Sequence, residues 1–363
     1  MKIGIISFTA KGSRLCSRLA NGLAGEMLEC TGYVPERFLD GECENINIQC
    51  REQSLDQWTA AMFGDHRAMV FVGAAGIAVR AIAPFVRDKM EDPPVVVVDE
   101  AGRFVIPILS GHVGGANRLA VRIARLLGAV PVITTATDVN GLFAVDVFAA
   151  ENRLVIADRE AAKQVSVDLL EGTPVGFFSD FDLGTGRVPA GCVRDVCERN
   201  IWITVNDERT WKERYQTSGE KQDKPGLLRL VPKAVTVGVG CRRGVEVHAL
   251  EHRVRECLDR HGIDPASVKT LATIDVKRDE AAVLALARDR GWELAFYSAC
   301  ELSGVKGEFR ESDFVRRTVG VGNVCERACL AKGGGLAFGR EAGDGITVAA
   351  AVLPVKLNIE KYI

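Results

Sequence analysis

The stretch Leu109–Ala120, LSGHVGGANRLA, constrains the fold of this chain more than any other. An apolar run, Phe104-Val105-Ile106-Pro107-Ile108-Leu109, stops abruptly at Ser110-Gly111-His112. Two more glycines and an asparagine follow, and a helical pattern is under way by Leu119. The order is a strand, a glycine-rich turn and a helix start. In open α/β sheets such a junction is where ligands bind. His112, one of only five histidines, occupies it.

The same pattern recurs on both sides. Residues 2–8 read as a strand, and Leu15, Leu19, Leu23 and Met27 follow at helical spacing. Next come a helix around Leu55, Trp58 and Met62, a strand over Ala68–Val72, and a short helix carrying Ile77, Ile82 and Phe85. Strands over Val95–Asp99 and Phe104–Leu109 precede the helix Asn117–Leu127, which ends at Gly128, a natural C′ residue. A strand over Val130–Thr135 follows. Strands alternating with helices predict an α/β protein with mostly parallel sheets flanked by helices.

This N-terminal α/β domain spans 1–140. A small α/β middle unit occupies 141–230, with a helix over Glu160–Leu170 and strands at 174–178 and 201–205. Ten of the eighteen residues from Asp207 to Lys224 are charged, which predicts a solvated linker at its end. From 231 to 363 a C-terminal α/β sandwich is expected. There VTVGVGCRRG reads as a strand entering a glycine turn, with helices near 247–258 and 280–290, a helix start at Val324, and a last strand at 346–352.

With 363 residues, 47% hydrophobic and 26% charged, the chain has the makeup of a globular protein of two or three domains. A net charge of −2 offers no broad basic field, so nucleic acid is not an expected partner. No run approaches the roughly 18 apolar residues of a membrane span. MKIGIISF reads as a first strand, not an export signal, so a cytoplasmic location is expected. Eleven cysteines, an odd number with no CxxC, predict reduced thiols. No metal site is expected. Cys192/Cys197 and Cys325/Cys329 are spaced too widely for a paired zinc knuckle, and His248/His252 lack the HExxH pattern.

Three glycine-rich turns, 73–76, 110–115 and 238–244, could hold an anion on backbone N–H groups at a helix start. Glycine's tolerance of tight turns explains each equally well, and none is a nucleotide fingerprint. Candidate binding residues are Gly73, Gly76 and Arg80 at the first turn, and Gly111, Gly114, Gly115 and Arg118 at the second. Thr135 and Thr137 lie at the end of the following strand, and Gly240, Arg242 and Arg243 at the third turn. Guanidinium forks match carboxylates. His112 titrates near neutrality and suits a general base. If the strands before His112 and before TTATD (Thr134–Asp138) are neighbours, Asp138 can orient it. Asn117 and the Gly111–Gly115 amides are candidate oxyanion donors. Ser110 is a competing nucleophile, but without a GxSxG elbow a turn-capping role suits it better.

LSGHVGGAN followed by TTATDVNG resembles the N-terminal signature of the cobalt-precorrin-5A hydrolases of anaerobic cobalamin biosynthesis. GVGCRRG, TIDVKRDE and VGVGNVCERACL are similar to the C-terminal domain shared by these hydrolases and a companion protein of the aerobic pathway. The motifs keep their order across nearly the whole chain, and the charged stretch 207–224 is the departure. The resemblance implies hydrolysis of the δ-lactone joining the ring-A acetate to C20. Loss of C20 with its methyl as acetaldehyde then gives cobalt-precorrin-5B.

It further implies no protein-bound cofactor, since cobalt is carried by the substrate. The implied partners are the cobalt-precorrin itself and, beyond it, neighbouring pathway enzymes. The C-terminal domain is expected to close over the macrocycle or contact its carboxylates, so that deleting 235–363 weakens binding. Two other readings stay open. A non-catalytic tetrapyrrole carrier would need the anion-binding loops but no His/Asp/Asn constellation. A nucleotide-binding oxidoreductase has the absent fingerprint against it.

Overall fold

Period-two alternation with both faces buried sets the architecture of the first unit, Met1–Gly141. The computed structural model describes residues 2–25, 28–39, 47–88, 91–111, 114–135, 139–184, 186–215 and 226–362. The first unit runs β1 (Lys2–Ser7), α1 (Ala10–Ala24), β2 (Glu29–Val34), β3 (Ile48–Cys50), α2 (Leu55–Gly64) and β4 (Ala68–Val72). It continues with α3 (Ala75–Ile82), β5 (Val95–Val98), β6 (Phe104–Leu109), α4 (Ala116–Leu127) and β7 (Val130–Pro131). Ile3, Ile5, Val70, Val72, Val96 and Val98 pack with Leu19 and Leu23 of α1 and Leu119 and Ile123 of α4. Their neighbours Ile6, Met69, Phe71, Val95 and Val97 pack with Trp58 and Met62 of α2 and Ala78 and Ile82 of α3. The sheet is therefore the middle of three layers.

Its strand order is β3-β2-β1-β4-β5-β6-β7. The strands β1 to β5 are mutually parallel, β6 is antiparallel to β5, and β7 is parallel to β6. A tight turn makes the reversal. Asp99 Oδ1 accepts the N–H groups of Arg103 and Phe104, both at 2.6 Å, and Oδ2 accepts that of Ala101 at 3.2 Å. Gly102 takes the left-handed conformation the turn needs, at φ +67°. The carboxyl ends of β1 to β5 thus share one edge, and those of β6 and β7 the other. Two outer strands, β2 and β3, lie beyond the expected set, and the expected strand Val130–Thr135 pairs only over Val130–Pro131. Met27, expected in the first helix, lies outside the described residues.

The second unit, Leu142–Ile363, carries two sheets. The first involves α5 (Val145–Glu151), β8 (Leu154–Ile156), α6 (Arg159–Leu170), β9 (Val175–Ser179), β10 (Cys192–Val193), β11 (Arg199–Ile203), α7 (Glu208–Tyr215) and β12 (Gly226–Pro232). Its order is β10-β9-β11-β12-β8, parallel except for β8. The charged stretch expected as a linker is, in its first half, the helix α7. Trp211 is 1% exposed and packs on Phe178 at 5.1 Å, Trp202 at 5.4 Å and Tyr215 at 4.2 Å. Two aromatics four residues apart seat a helix whose other positions, Thr210 apart, are charged. Residues 216–225 lie outside the described residues.

The other sheet involves β13 (Val235–Cys241), α8 (Val247–Arg260), β14 (Val268–Ile274), α9 (Ala281–Arg290), β15 (Glu293–Tyr297), α10 (Ala299–Gly304), α11 (Asp313–Val319), α12 (Cys325–Leu330), β16 (Gly335–Gly343) and β17 (Ile346–Val352). The order β15-β14-β13-β17-β16 keeps β13, β14 and β15 parallel, with β17 antiparallel to both its neighbours. Leu250, Val254, Val283 and Leu286 cover one face, and α12 covers the other. The supposed glycine turn at 238–244 is mostly strand, since β13 runs on to Cys241. Gly238 instead lets α12 lie against the sheet. A Cβ there would stand 1.9 Å from the Cys325 carbonyl oxygen.

After β17 the chain returns to the first of these sheets. Ile359 is fully buried with Phe143, Phe148 and Phe177, and Tyr362 OH donates to Glu151 at 2.7 Å. Deleting 235–363 would therefore remove part of the middle core as well, so point substitutions are the cleaner probe of the C-terminal sheet.

Gly238→Ala is expected to destabilise the second unit by about 1–3 kcal/mol or more, the range for overpacking a core. The measurement is the urea midpoint at constant slope. An unchanged midpoint would rule out the close approach of α12.

Candidate functional site

The loop after β6 is held by its own backbone. Ser110 sits at φ +53°, uncommon for a residue with a side chain. Its Oγ donates to the Asp92 carbonyl at 2.8 Å. The Ser110 carbonyl accepts the Ala116 N–H at 3.1 Å, and the Gly111 carbonyl accepts the Asn117 N–H at 3.0 Å. The first two amides of α4, which a bare helix start would present to an anion, are thus consumed inside the loop. A Cβ on Gly114 would come within 2.5 Å of Ser110 Cβ, so that glycine answers a close approach. Gly115 is left-handed at φ +87°, and Arg118 folds over it, with Nη2 3.3 Å from where a Cβ would stand.

Because β6 and β7 are neighbours, the loop meets the segment after β7. Asn117 Nδ2 donates to Thr135 Oγ1 at 3.0 Å. His112, Thr137 and Asp138 lie outside the described residues.

Gly73, Gly76 and Arg80 do not join this group. They follow β4, which runs opposite to β6, and so lie at the other edge of the sheet. That edge, between β1 and β4, is where the strand order reverses, the position at which open α/β sheets hold ligands. Thr9, which caps α1 by accepting the Gly12 N–H at 3.0 Å, hydrogen-bonds the Glu100 carboxylate there. Arg51 lies over the Phe8 ring at 5.6 Å on the same edge. Neither motif nor spacing singles out Thr9, Arg51 or Glu100.

The C-terminal sheet holds a cavity of about 530 Å³ at the carboxyl ends of β13 and β14. Ile274, Val276, Phe314, Val315, Val319 and Val324 form its apolar wall, while Arg242, Arg243, Lys277 and Arg340 bring positive charge. The expected binding residues Gly240, Arg242 and Arg243 all line it. Lys277, from TIDVKRDE, joins them, as do Phe314 and Arg340, which did not stand out in the sequence. Gly240 serves as a strand residue, since a Cβ there would stand 2.6 Å from Thr347 Oγ1.

Two buried carboxylates brace the walls, and both come from the C-terminal motifs. Glu280, of TIDVKRDE, accepts the Gly244 N–H at 3.0 Å and pairs with Lys277 at 3.1 Å. Glu326, of VGVGNVCERACL, accepts from Asn323 Nδ2 at 2.5 Å, the Arg340 N–H at 2.6 Å and the Arg310 N–H at 3.3 Å. Burial pushes the Cys325 thiol, at the cavity wall, up to about 11, so it stays protonated at neutral pH and is a poor nucleophile. Among the described residues no three His, Cys, Asp or Glu side chains gather as a metal site, and no helix is long and apolar enough to cross a membrane.

Residues 57–138 match the family described as Cobalamin synthesis G N-terminal, and residues 235–351 match Cobalamin synthesis G C-terminus. The class is that of cobalamin-synthesis proteins. The chain is 35% identical to the cobalt-precorrin-5A hydrolase of Salmonella typhimurium (strain LT2), over 96% of this chain and 97% of that one. It is 30% identical to the cobalt-precorrin-5A hydrolase of Priestia megaterium, over 89% of this chain and 88% of that one. The chain belongs to the cobalt-precorrin-5A hydrolase family. A crystal structure of a cobalamin biosynthesis protein G homolog from Sulfolobus solfataricus aligns over 97% of each chain, at 19% identity and a TM-score of 0.39.

Two measurements test the geometry. Ser110→Ala is expected to lose about 1 kcal/mol, the worth of one hydrogen bond, with turnover within a few-fold of the parent. A variant equally stable but inactive would give Ser110 Oγ a chemical role. Iodoacetamide at pH 8 is expected to modify the exposed Cys300 well before Cys325, whose rate should climb about tenfold per pH unit toward about 11. Equal rates at pH 8 would contradict the buried thiol.

Proposed function

We infer that this chain is a cobalt-precorrin-5A hydrolase of cobalamin biosynthesis. The observation that carries this is 35% identity across 96% of the chain to a protein of that name. In this reading water opens the ring-A acetate δ-lactone to a carboxylate and frees a hydroxyl on C20. The hydroxyl proton is then removed and the bond holding C20 to the macrocycle breaks. Its electron pair passes into the conjugated ring while C20 departs with its methyl as acetaldehyde. The product, cobalt-precorrin-5B, keeps the cobalt that arrived with the substrate. The ring is its own electron sink, so no protein-bound cofactor enters the scheme, and the reaction is assigned to the cytoplasm.

Lactone opening needs an activated water and donors for the tetrahedral oxyanion. His112 is proposed as the base and Asp138 as its partner. The donors are assigned to the Asn117 carboxamide and the Gly111–Gly115 amides. In support, the Asn117–Thr135 hydrogen bond joins the loop that bears His112 to the strand end that leads into Asp138. The carrier reading is not favoured, because the likeness over nearly the full length is to proteins named as hydrolases.

Mixing the purified chain with cobalt-precorrin-5A should release one equivalent of acetaldehyde, read by a coupled alcohol dehydrogenase assay. Tight binding without acetaldehyde would return the protein to the carrier class. His112→Ala should fold and bind the substrate yet turn it over at least about 100-fold more slowly, as loss of a general base entails. Release at the parental rate would remove His112 from the mechanism.

A further inference from the structure

We propose that the cavity at the ends of β13 and β14 is a carboxylate clamp for the rim of a polycarboxylated tetrapyrrole, with Arg242 and Arg340 as its two jaws. The identity of the macrocycle rests on the hydrolase reading. The clamp itself rests on how the cations are spent within the protein.

Four cations line the cavity, and no aspartate or glutamate does so among the described residues. Two of the four are neutralised. Lys277 pairs with the buried Glu280 at 3.1 Å, and Arg243 with Asp279 at 2.6 Å. Among the described residues, the guanidinium groups of Arg242 and Arg340 make neither an ion pair nor a hydrogen bond within the protein.

Their backbones are nonetheless fixed. The Arg242 N–H donates to the Gly345 carbonyl at 3.1 Å, and its stem lies along Gly345, where a Cβ would stand 3.2 Å from Cδ. The Arg340 N–H donates to Glu326 at 2.6 Å. Two forks anchored at the base and unsatisfied at the head are suited to bidentate capture of carboxylates.

The remaining lining selects among anions. A phosphate site would present free backbone amides on a glycine turn, but Gly240 of the lining lies inside a strand. The rest of the lining is largely aliphatic and aromatic, and includes Phe314, 75% exposed. Apolar lining beside two unpaired guanidiniums fits a flat, apolar-faced ring bearing carboxylates on its edge.

The test is a fluorescence titration of the full chain with uroporphyrin, an octacarboxylate tetrapyrrole. Arg242→Gln and Arg340→Gln should each weaken binding about tenfold or more, the range for a hydrogen bond to a charged group. The double variant should lose about the product, and lysine at either position should recover part of the loss. Arg288→Gln, at an exposed and paired arginine on α9, is the surface control and should bind as the parent does. A double Gln variant with an unchanged urea midpoint that binds uroporphyrin within twofold of the parent would overturn the clamp. Acetaldehyde release by the parent separates the two readings. Variants that lose uroporphyrin while the parent releases no acetaldehyde would sink the hydrolase and leave the clamp. A parent that turns over, beside variants that bind normally, would do the reverse.

Discussion

One carboxylate, Asp99, gathers three backbone N–H groups and folds the chain back between β5 and β6. Everything about where chemistry can occur in the first unit depends on that turn. Had β6 continued the parallel order, its loop would share an edge with the turn after β4, and all the glycine-rich segments of the unit could surround one ligand. Instead Ser110, Asn117 and Thr135 are collected at one edge, and Thr9, Glu100, Gly76 and Arg80 at the other. The antiparallel step also sets the partner of the Ser110 hydroxyl. It brings Leu109 opposite Val95, and so places Ser110 beside the segment that leads into β5, where the Asp92 carbonyl accepts its proton.

The reversal was legible in the spacing. Only four residues, 100–103, separate the expected strands Val95–Asp99 and Phe104–Leu109, and a parallel crossover needs a dozen or more. The rule that ligands lie beyond carboxyl strand ends at a switch point therefore applies to the β1/β4 edge, not to the end of β6. Alternation and helix spacing located most of the elements because burial on both faces leaves little freedom. They missed β2, β3, β8, β10 and β16, strands that are short or of mixed polarity at or near sheet margins, and β12, which follows directly on the charged stretch. They also missed α7. Charge density argued for a loop, yet Trp211 and Tyr215 seat the helix in an aromatic cluster.

The C-terminal motifs were legible as signatures but not as physics. GVG reads as an anion turn, and it is a strand thinned so that α12 can touch it. Glu326 reads as an acid at a helix start, where the macrodipole alone would explain it. In the fold it is buried and draws α12, Asn323 and the strand bearing Arg340 together. Lys277 and Arg340 stand far from Arg242 in sequence, and no local pattern could join them. Only the sheet order does so.

The two units then share one logic. Glycines at 111, 114, 238 and 240 serve close approach, and the first two amides of α4 are already taken by the Ser110 and Gly111 carbonyls. In the C-terminal cavity, charge for an anionic ligand comes from side chains. The two buried acids that brace the cavity walls are held by different means. Glu326 is met by three N–H donors with no guanidinium required, and Glu280 takes one amide and the single ammonium of Lys277. A carboxylate stabilised by N–H donors needs no arginine as counter-ion, so bracing the walls leaves Arg242 and Arg340 uncommitted. The same residues that make the cavity rigid thereby keep it electropositive.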